Sequence, residues 1–403
     1  MAFLHGVDVV ELTDGVRPIQ VVSSSIIGIV GTAPFADADA FPLDTPVLIS
    51  SPAQAAGLTA TLPPNSLINV EGTLPWAIAG IFDQVKTPVV VIRVAADADA
   101  PDQQALVVGQ ADENTGVYGF LGAQASTGAK PKILIAPGFT HQQLVAATAN
   151  PVVQALKSVA NKLRAIVIAD GPNDTNAAAI AKAVLEGADR AYHIDPFVKV
   201  LDRTGVIATR PASGFVAGVI ARTDQTLGFW WSPSNQVING IVGIGRPIEF
   251  GLSDESATSN LLNEAGVATI VAMSGFRVWG NRTKTTDPLW QFLSVRRTAD
   301  MVYEAIEQSF IWAMDRPISG QLLGDVEGSV NAYLRDLKAR GAILGGKATL
   351  NPDLNTEASL KAGRLYVDFD IEPPAPLERI TFQARRDGGY YADVIASAVQ
   401  AAA

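Results

Sequence analysis

The sequence of 403 residues contains no cysteine. Without cysteine, the chain has no disulfide bridges, thiolate nucleophiles, iron–sulfur clusters or cysteine-based zinc sites. Histidine is nearly as scarce: the three histidines, His5, His141 and His193, lie far apart, and none has another histidine three or four residues away. We therefore expect neither a metal site nor a bound cofactor, and we expect the packing of apolar side chains to supply the stability.

Positive charge is also in short supply. The chain has 30 Lys and Arg against 40 Asp and Glu, for a formal net charge of −10. Because duplex nucleic acids are bound through dense basic surfaces, we expect no direct contact with nucleic acid. No apolar run reaches the roughly 18 residues that a membrane-spanning helix needs, and the first residues lack the pattern of a signal peptide. We expect neither membrane insertion nor secretion by the general route.

Apolar residues are abundant, at 48% of the chain, whereas charged residues make up 17%. A chain of this length exceeds what one compact core holds, so we expect two or three packed domains. Over residues 21–195, short β-branched runs alternate with amphipathic stretches, as strands and helices do in a layered α/β domain. Strands are predicted at residues 25–31, 46–50, 88–94, 132–136 and 164–169, and helices at residues 74–85, 141–162 and 175–186.

Shifts in composition predict where the domains begin and end. Residues 21–210 are predicted to form the layered α/β domain. Within it, residues 95–130 have few large apolar side chains and are predicted to be a surface excursion. The composition changes again near residue 211, where a Gly-rich amphipathic stretch begins. Residues 211–376 are predicted to form a second, α+β domain with long helices at residues 289–314 and 319–340.

Three basic side chains gather near the end of the helix predicted at residues 319–340. They are Arg335, Lys338 and Arg340, in an otherwise acidic chain. They could complement the helix dipole, which is worth about 0.3–1 kcal/mol per charge. They could equally form a basic docking edge that guides an acidic partner into register. The sequence leaves both explanations open.

Both ends of the chain have the pattern of strands that lack a partner. Residues 364–372 alternate strictly between apolar and polar side chains, which is typical of a half-buried strand. After three prolines, residues 377–386 alternate again, and residues 6–19 are short, extended in character and interrupted by an Asp-Gly turn signal. Arms of this kind, at residues 1–20 and 377–403, favour pairing with a neighbouring chain by strand addition.

Two patterns resemble chemical sites. His193 and Asp195 lie at a predicted strand end, where α/β enzymes often place catalytic groups, but a buried structural histidine is the favoured interpretation. Residues 341–347 have the G-x4-G-K spacing of a phosphate loop. However, Ala348 follows instead of Ser or Thr, and the segment comes after a helix. We therefore interpret it as a helix C-terminus and predict no catalytic residues.

Several motifs, in order along nearly the whole chain, resemble one protein family. They are HGVDVVELTDGVRPI, FPLDTPVLI, KLRAIVIADGPN, WWSPSNQVINGIVGIGRPIEF, LLNEAGVATI, GFRVWGNRT and LKAGRLYVDFDIEPPAPLERITFQ. The chain resembles the contractile tail sheath proteins of myophages, and most closely those of P2-like phages and R-type pyocins. The set formed by SPSN, GFRVWGNRT and PPAPLE is the specific part of the match. Residues 95–130 and the Ala-rich tail after Ser397 depart from the family pattern.

The resemblance implies a two-domain structural subunit and not an enzyme. Such subunits stack as hexameric rings around a tail tube, with an outer N-terminal domain and an inner, tube-facing C-terminal domain. Contraction from a metastable extended state then drives the tube through the target envelope. The implied partners are other copies of the chain, the tube protein, and the baseplate and tail terminator proteins, in a virion tail assembled in the host cytoplasm.

The resemblance also implies roles for individual residues. Intersubunit arms would carry Val7, Val9, Val16 and Ile19 at one end and Leu377, Ile380, Phe382 and Ala384 at the other. The strand that receives an arm would contain Leu365, Val367, Phe369 and Ile371. Arg335, Lys338 and Arg340 would face the tube.

Two other classes of protein remain as alternatives. A hydrolase-like α/β enzyme acting through His193 and Asp195 would need a pocket with convergent polar groups. A surface-layer or adhesion protein would also polymerise through strand arms, but we would expect it to carry a secretion signal.

Overall fold

The computed structural model describes residues 19, 23–63 and 70–401. The strands in this part of the chain are β1 (Ile27–Thr32), β2 (Pro46–Ile49), β3 (Val89–Val94), β4 (Ile133–Ile135), β5 (Ile166–Asp170), β6 (Ala191–Ile194), β7 (Val198–Leu201), β8 (Ile207–Arg210), β9 (Gly243–Ile244), β10 (Val267–Ala272), β11 (Phe276–Trp279), β12 (Gly345–Leu350) and β13 (Val367–Glu372). The helices are α1 (Pro52–Ala55), α2 (Leu74–Gln84), α3 (Ala100–Val108), α4 (Ala123–Thr127), α5 (Pro151–Leu163), α6 (Asn176–Glu186), α7 (Ser213–Thr226), α8 (Thr258–Glu264), α9 (Leu293–Ser309), α10 (Gly320–Ala339), α11 (Glu357–Lys361) and α12 (Tyr390–Ala401).

A large mixed sheet forms the centre of the molecule. Its order in the described residues is β11-β10-β6-β5-β4-β1-β3-β2, and it is parallel except at its two ends, where β2 and β11 run antiparallel to their neighbours. The central strands are buried on both faces, which explains their β-branched composition. All five predicted strands are present, with ends shifted by at most two residues, and the predicted layered α/β fold is confirmed.

Helices cover both faces of this sheet. One core lies between the sheet and α2 and α7, and the other lies between the sheet and α5, α3 and α4. Residues 95–130 contribute Val107, Val117 and Phe120 to the core on the α5 side of the sheet, and all three are fully buried. The predicted surface excursion is therefore wrong. Its few large apolar side chains are concentrated on the inner side of short helical turns. The low apolar content of the segment as a whole therefore did not indicate that these side chains form a buried layer.

The sheet also extends past the predicted domain boundary at residue 210. Helix α7 packs against α2, and β10 pairs with β6. These elements belong to the same layered body, which ends after β11, near residue 279. The Gly-rich composition near residue 211 marks a close helix crossing inside that body. An added Cβ at Gly214 would lie 2.9 Å from the Ala77 carbonyl oxygen, and one at Gly218 would lie 2.8 Å from the Ile81 carbonyl oxygen.

This crossing gives a stability prediction. Gly218→Ala should lower the free energy of unfolding by about 1–3 kcal/mol, because the backbone of α2 leaves no room for a methyl group. The matched control is Gly324→Ala in the exposed part of α10, where an added Cβ meets nothing within 4 Å. That change should raise stability by about 0.4–1 kcal/mol. Urea unfolding measures both, and similar effects at the two glycines would contradict the tight crossing.

The second body consists of α9, α10 and the antiparallel pair β12 and β13, which we call the small sheet. These elements enclose a core of their own, which we call the second core and which includes Phe229, Val302, Leu334 and Ala348. The side chain of Ser319 caps α10 by accepting a hydrogen bond from the Leu322 amide at 3.2 Å. Gly341, with φ of +77°, ends the helix. The G-x4-G-K segment is therefore a helix terminus that leads into β12, as the sequence indicated.

Candidate intersubunit surfaces

The small sheet rests on the second core through one face of β13. Val367, Phe369 and Ile371 pack against that core, whereas Asp368 and Asp370 between them are exposed. The predicted alternation of residues 364–372 is thus present, and Leu365 is also partly buried. Among the described residues, β13 pairs only with β12, so the other edge of β13 is open. An open edge offers backbone donors and acceptors to another strand.

Two ion pairs lie at the start of the C-terminal arm. Arg282 and Glu378 form an ion pair, with Arg282 Nη2 2.6 Å from Glu378 Oε2 and Arg282 Nε 3.0 Å from the same oxygen. Arg379 and Glu255 make a second, exposed ion pair at 3.1 Å. The arm therefore begins beside Glu255 and Arg282, close to the end of the layered body.

Beyond this point the arm is exposed. Phe382 is 88% exposed and Leu377 74%, and Ile380 and Ala384 are exposed as well. Residues 377–386 have no regular secondary structure in this single chain. An isolated strand is unstable without a partner, so the alternating pattern of this segment is satisfied only if another strand pairs with it. The predicted strand in this arm stays a prediction.

The N-terminal arm is described at one residue. Ile19 packs against the same core as β13. Val7, Val9 and Val16 lie outside the described residues.

Arg335 and Lys338 on α10, and Arg340 directly after its last residue, are all exposed. Arg340 lies 5.6 Å above the ring of Trp230 and 3.6 Å from a carboxylate oxygen of Asp336. Arg335 lines a groove between α10 and β12, and Lys338 lies in the last turn of the helix. The surface is therefore accessible to a partner, and the position of Lys338 also suits the helix dipole.

His193 and Asp195 belong to separate buried networks. The side chain of His193 has Nε2 3.3 Å from Glu186 Oε2, and Glu186 is also paired with Lys182. Asp195 accepts hydrogen bonds from Arg246 Nε and from the Asn173 amide, each at 2.8 Å. Burial raises the pKa of Asp195, and the charge of Arg246 opposes that shift. Since His193 is 2% exposed and Asp195 0%, these residues support the fold instead of facing a substrate.

A set of buried ion pairs, which the sequence does not reveal, attaches α9 to the layered body. Glu304 pairs with Lys132 and with Lys130, the latter at 2.8 Å. Burial lowers the pKa of Lys132 to about 8, against the opposing effect of Glu304. Similar pairs join Arg190 to Asp300 and Arg297 to Asp224. The acidic and basic residues of α9 were indistinguishable from a solvated face because their partners are more than seventy residues away in sequence.

Two family models match consecutive parts of the chain. The model of the phage tail sheath protein central domain matches residues 109–284, and that of the phage tail sheath C-terminal domain matches residues 285–386. The division between them follows the end of the large sheet at β11 by a few residues. None of the described helices combines the length and apolar character that crossing a membrane requires.

Relatives match over nearly their full length. The chain is 37% identical to a putative prophage major tail sheath protein of Pseudomonas aeruginosa strain UCBPP-PA14, covering 98% of this chain and 99% of the relative. It is 34% identical to the tail sheath protein of Escherichia phage P2, covering 98% of each. Among solved structures, the anti-feeding prophage helical sheath in its contracted state aligns with a TM-score of 0.71 at 19% identity, covering 96% of this chain and all of that one. At that identity the likeness concerns the fold.

Proposed function

The chain belongs to the phage tail sheath protein family, and from this premise we propose that it polymerises as stacked hexameric rings around a tail tube. As a member of this family it is a structural subunit of a contractile tail sheath, a component of the phage tail, and not an enzyme. The polymer waits in an extended, metastable state. When it shortens and widens, it drives the tube through the target cell envelope.

The exposed C-terminal arm is the observation that carries this proposal. Ile380, Phe382 and Ala384 lie on one face of the arm and are exposed in the single chain. Placed beside β13 of a neighbour, they would extend the apolar face of Val367, Phe369 and Ile371 over the second core. Leu377 and the partly buried Leu365 would lie at the ends of this surface. Such burial removes apolar side chains from water and completes the backbone pairing of both strands.

The charges of the arm also suit β13. On the arm, Arg385 lies on the face opposite Phe382, and on β13 the matching face carries Asp368 and Asp370. Opposite charges on neighbouring strands stabilise pairing by roughly 0.2–1 kcal/mol per pair. The N-terminal arm, with Val7, Val9, Val16 and Ile19, would form a second link. Ladder hydrogen bonds keep subunits connected while the domain surfaces between them are exchanged during contraction.

Other partners follow from this function. The layered N-terminal body would face outward, and the second body would face the tube. The sheath would meet the baseplate at one end and a tail terminator protein at the other, and it would assemble in the host cytoplasm as part of the virion. Arg335, Lys338 and Arg340 on α10 would contact acidic groups of the tube.

The tube contact is testable by charge reversal. Changing Arg335, Lys338 and Arg340 together to Glu should leave the fold intact, because all three side chains are exposed, and should prevent extended sheath from forming on tubes. The matched control changes three exposed lysines outside α10, Lys86, Lys162 and Lys361, to Glu, with the same change in net charge. Electron microscopy of each variant co-expressed with the tube protein gives the result. Sheathed tubes from the α10 variant would refute the docking role.

A further inference from the structure

One edge of the small sheet is already occupied by a side chain. Asn331 of α10 reaches the outer edge of β12, where its Nδ2 donates a hydrogen bond to the Ala348 carbonyl oxygen at 2.8 Å. The Ala348 amide donates in return to Asn331 Oδ1 at 2.9 Å. An asparagine side chain offers the same donor and acceptor as a peptide group. Asn331 therefore fills the place that a residue of an added strand would take.

The same two bonds fix which way the backbone of β13 faces. Ala348 lies opposite Phe369 in the antiparallel ladder. Because the amide and carbonyl of Ala348 point away from β13, this is a pair whose backbone groups do not bond each other. The amide and carbonyl of Phe369 must then point away from β12, toward the open edge. Val367 and Ile371, two residues to either side, face the same way.

We propose that Asn331 closes the outer edge of β12, so that residues 377–385 of a neighbouring copy add only to the outer edge of β13. The proposal rests on the sheath function proposed above and specifies which edge of the small sheet receives the arm. The sheet grows from one side, and a second arm would pair with the first arm and not with β12. Closing one edge with a side chain is a way to prevent pairing with the wrong strand.

The groove beside β12 does not offer an equivalent site. Gly346 and Lys347 line it together with Arg335. A strand placed there would have to break both hydrogen bonds of Asn331 two residues further along, at Ala348.

A second asparagine provides a matched control. Asn355 makes the same two bonds to the backbone of Tyr366, donating from Nδ2 at 2.7 Å and accepting from the Tyr366 amide at 2.9 Å. The Tyr366 carbonyl also accepts from the Asn351 amide at 3.2 Å, so these groups of Tyr366 face the side of the ladder that contains β12. Asn355 thus extends the ladder at its end and does not cover an outer edge. Changing Asn355 to Ala removes equivalent hydrogen bonds without opening an edge.

Disulfide cross-linking tests the proposal, since the natural chain has no cysteine to interfere. Asp368 on β13 and Thr349 on β12 are cross-strand neighbours with exposed side chains. Gln383→Cys on the arm is combined with either Asp368→Cys or Thr349→Cys. The same two combinations are made with Thr381→Cys and with Arg385→Cys. These positions lie on the same face of the arm and allow for a pairing register shifted by two residues. Residues opposite each other on adjacent strands have Cα atoms about 4.5–5.5 Å apart, within the roughly 4.4–6.8 Å that a disulfide spans. Strands separated by another strand lie about 9–10 Å apart, beyond its reach.

Oxidised polymer of the full chain should give covalent multimers with Asp368→Cys and none with Thr349→Cys. Adding Asn331→Ala should make the Thr349→Cys cross-link appear, whereas adding Asn355→Ala should not. Thermal unfolding of the unassembled chains checks that each variant folds.

The unfavourable results separate the two proposals. A Thr349→Cys cross-link in chains that retain Asn331 would overturn the edge closure and leave strand addition standing. No Thr349→Cys cross-link in folded Asn331→Ala polymer would overturn the role of Asn331. Polymer without a cross-link at either position would overturn strand addition by this arm, and with it both proposals. The comparison in chains that retain Asn331 remains decisive even if Asn331→Ala does not fold.

Discussion

Changing Phe382 to Lys is expected to leave the chain folded and to abolish its polymerisation. Phe382 is 88% exposed in the single chain, so the fold does not depend on it. In the polymer the ring would lie on the second core of a neighbour, and burying a Phe side chain contributes about 1.5–3 kcal/mol. A lysine forfeits that contribution and adds the cost of placing an ammonium group near apolar side chains. Every subunit contact of this kind in the polymer carries the same penalty.

Gln383→Lys is the control for this variant. It introduces the same charge one residue further along, on the opposite face of the arm, where Asp368 and Asp370 of β13 would lie near it. We expect it to polymerise like the natural chain. Sedimentation separates polymer from free subunits, and thermal unfolding confirms that both variants are folded. Equal polymerisation of the two variants would show that the apolar face of the arm is not an assembly surface.

Changing Glu304 to Ala is expected to lower the free energy of unfolding by about 3–5 kcal/mol, because it leaves a buried cation without its partner. The Glu304 side chain is 2% exposed and that of Lys132 is 3% exposed. Burial already lowers the pKa of Lys132 to about 8, and Glu304 is the main group that favours its charged form. Without Glu304, the chain must either hold an unpaired charge at that position or deprotonate the lysine.

Glu307→Ala tests whether burial is the reason. Glu307 lies one helical turn further along α9, where it pairs with Arg164, but its side chain is 56% exposed. An exposed pair of this kind contributes about 0–1 kcal/mol. Urea unfolding in the Phe382→Lys background keeps the chain unassembled and compares the two changes directly. A small loss at Glu304, similar to that at Glu307, would contradict the view that this ion pair joins α9 to the layered body.

The elements that sequence alone predicted well are those with local signals. Strands β1, β3, β4 and β5 are short, rich in β-branched residues and buried on both faces, and each lies in one run of the sequence. The alternation of residues 364–372 was equally visible, because a period of two is a local pattern. The domain boundary was misplaced because β10 joins the sheet by pairing with β6, which lies more than seventy residues earlier. No local pattern records that pairing.

The details of the candidate site depend on contacts that a sequence does not display. The alternation of Val367, Phe369 and Ile371 predicted a half-buried strand, but not which of its edges is open. The pairing with β12 gives that information, since β12 occupies one edge of β13 and leaves the other open. The contact at the outer edge of β12 was equally hidden, because Asn331 is on a helix seventeen residues before Ala348 and resembles any polar helix residue. The role of the charged residues of α9 likewise follows only from their ion pairs with Lys132 and Arg190, which are distant in sequence.

Cryo-electron microscopy of the full chain co-expressed with its tube protein tests the central claim most directly. We expect tubes coated by a striated cylinder of uniform width, built of six-fold rings, with residues 377–385 of one subunit forming a strand at the outer edge of β13 of another. Discrete small particles, with or without the tube protein, would contradict assembly into a sheath. A cylinder whose subunits meet without an added strand at β13 would contradict the role of the arm.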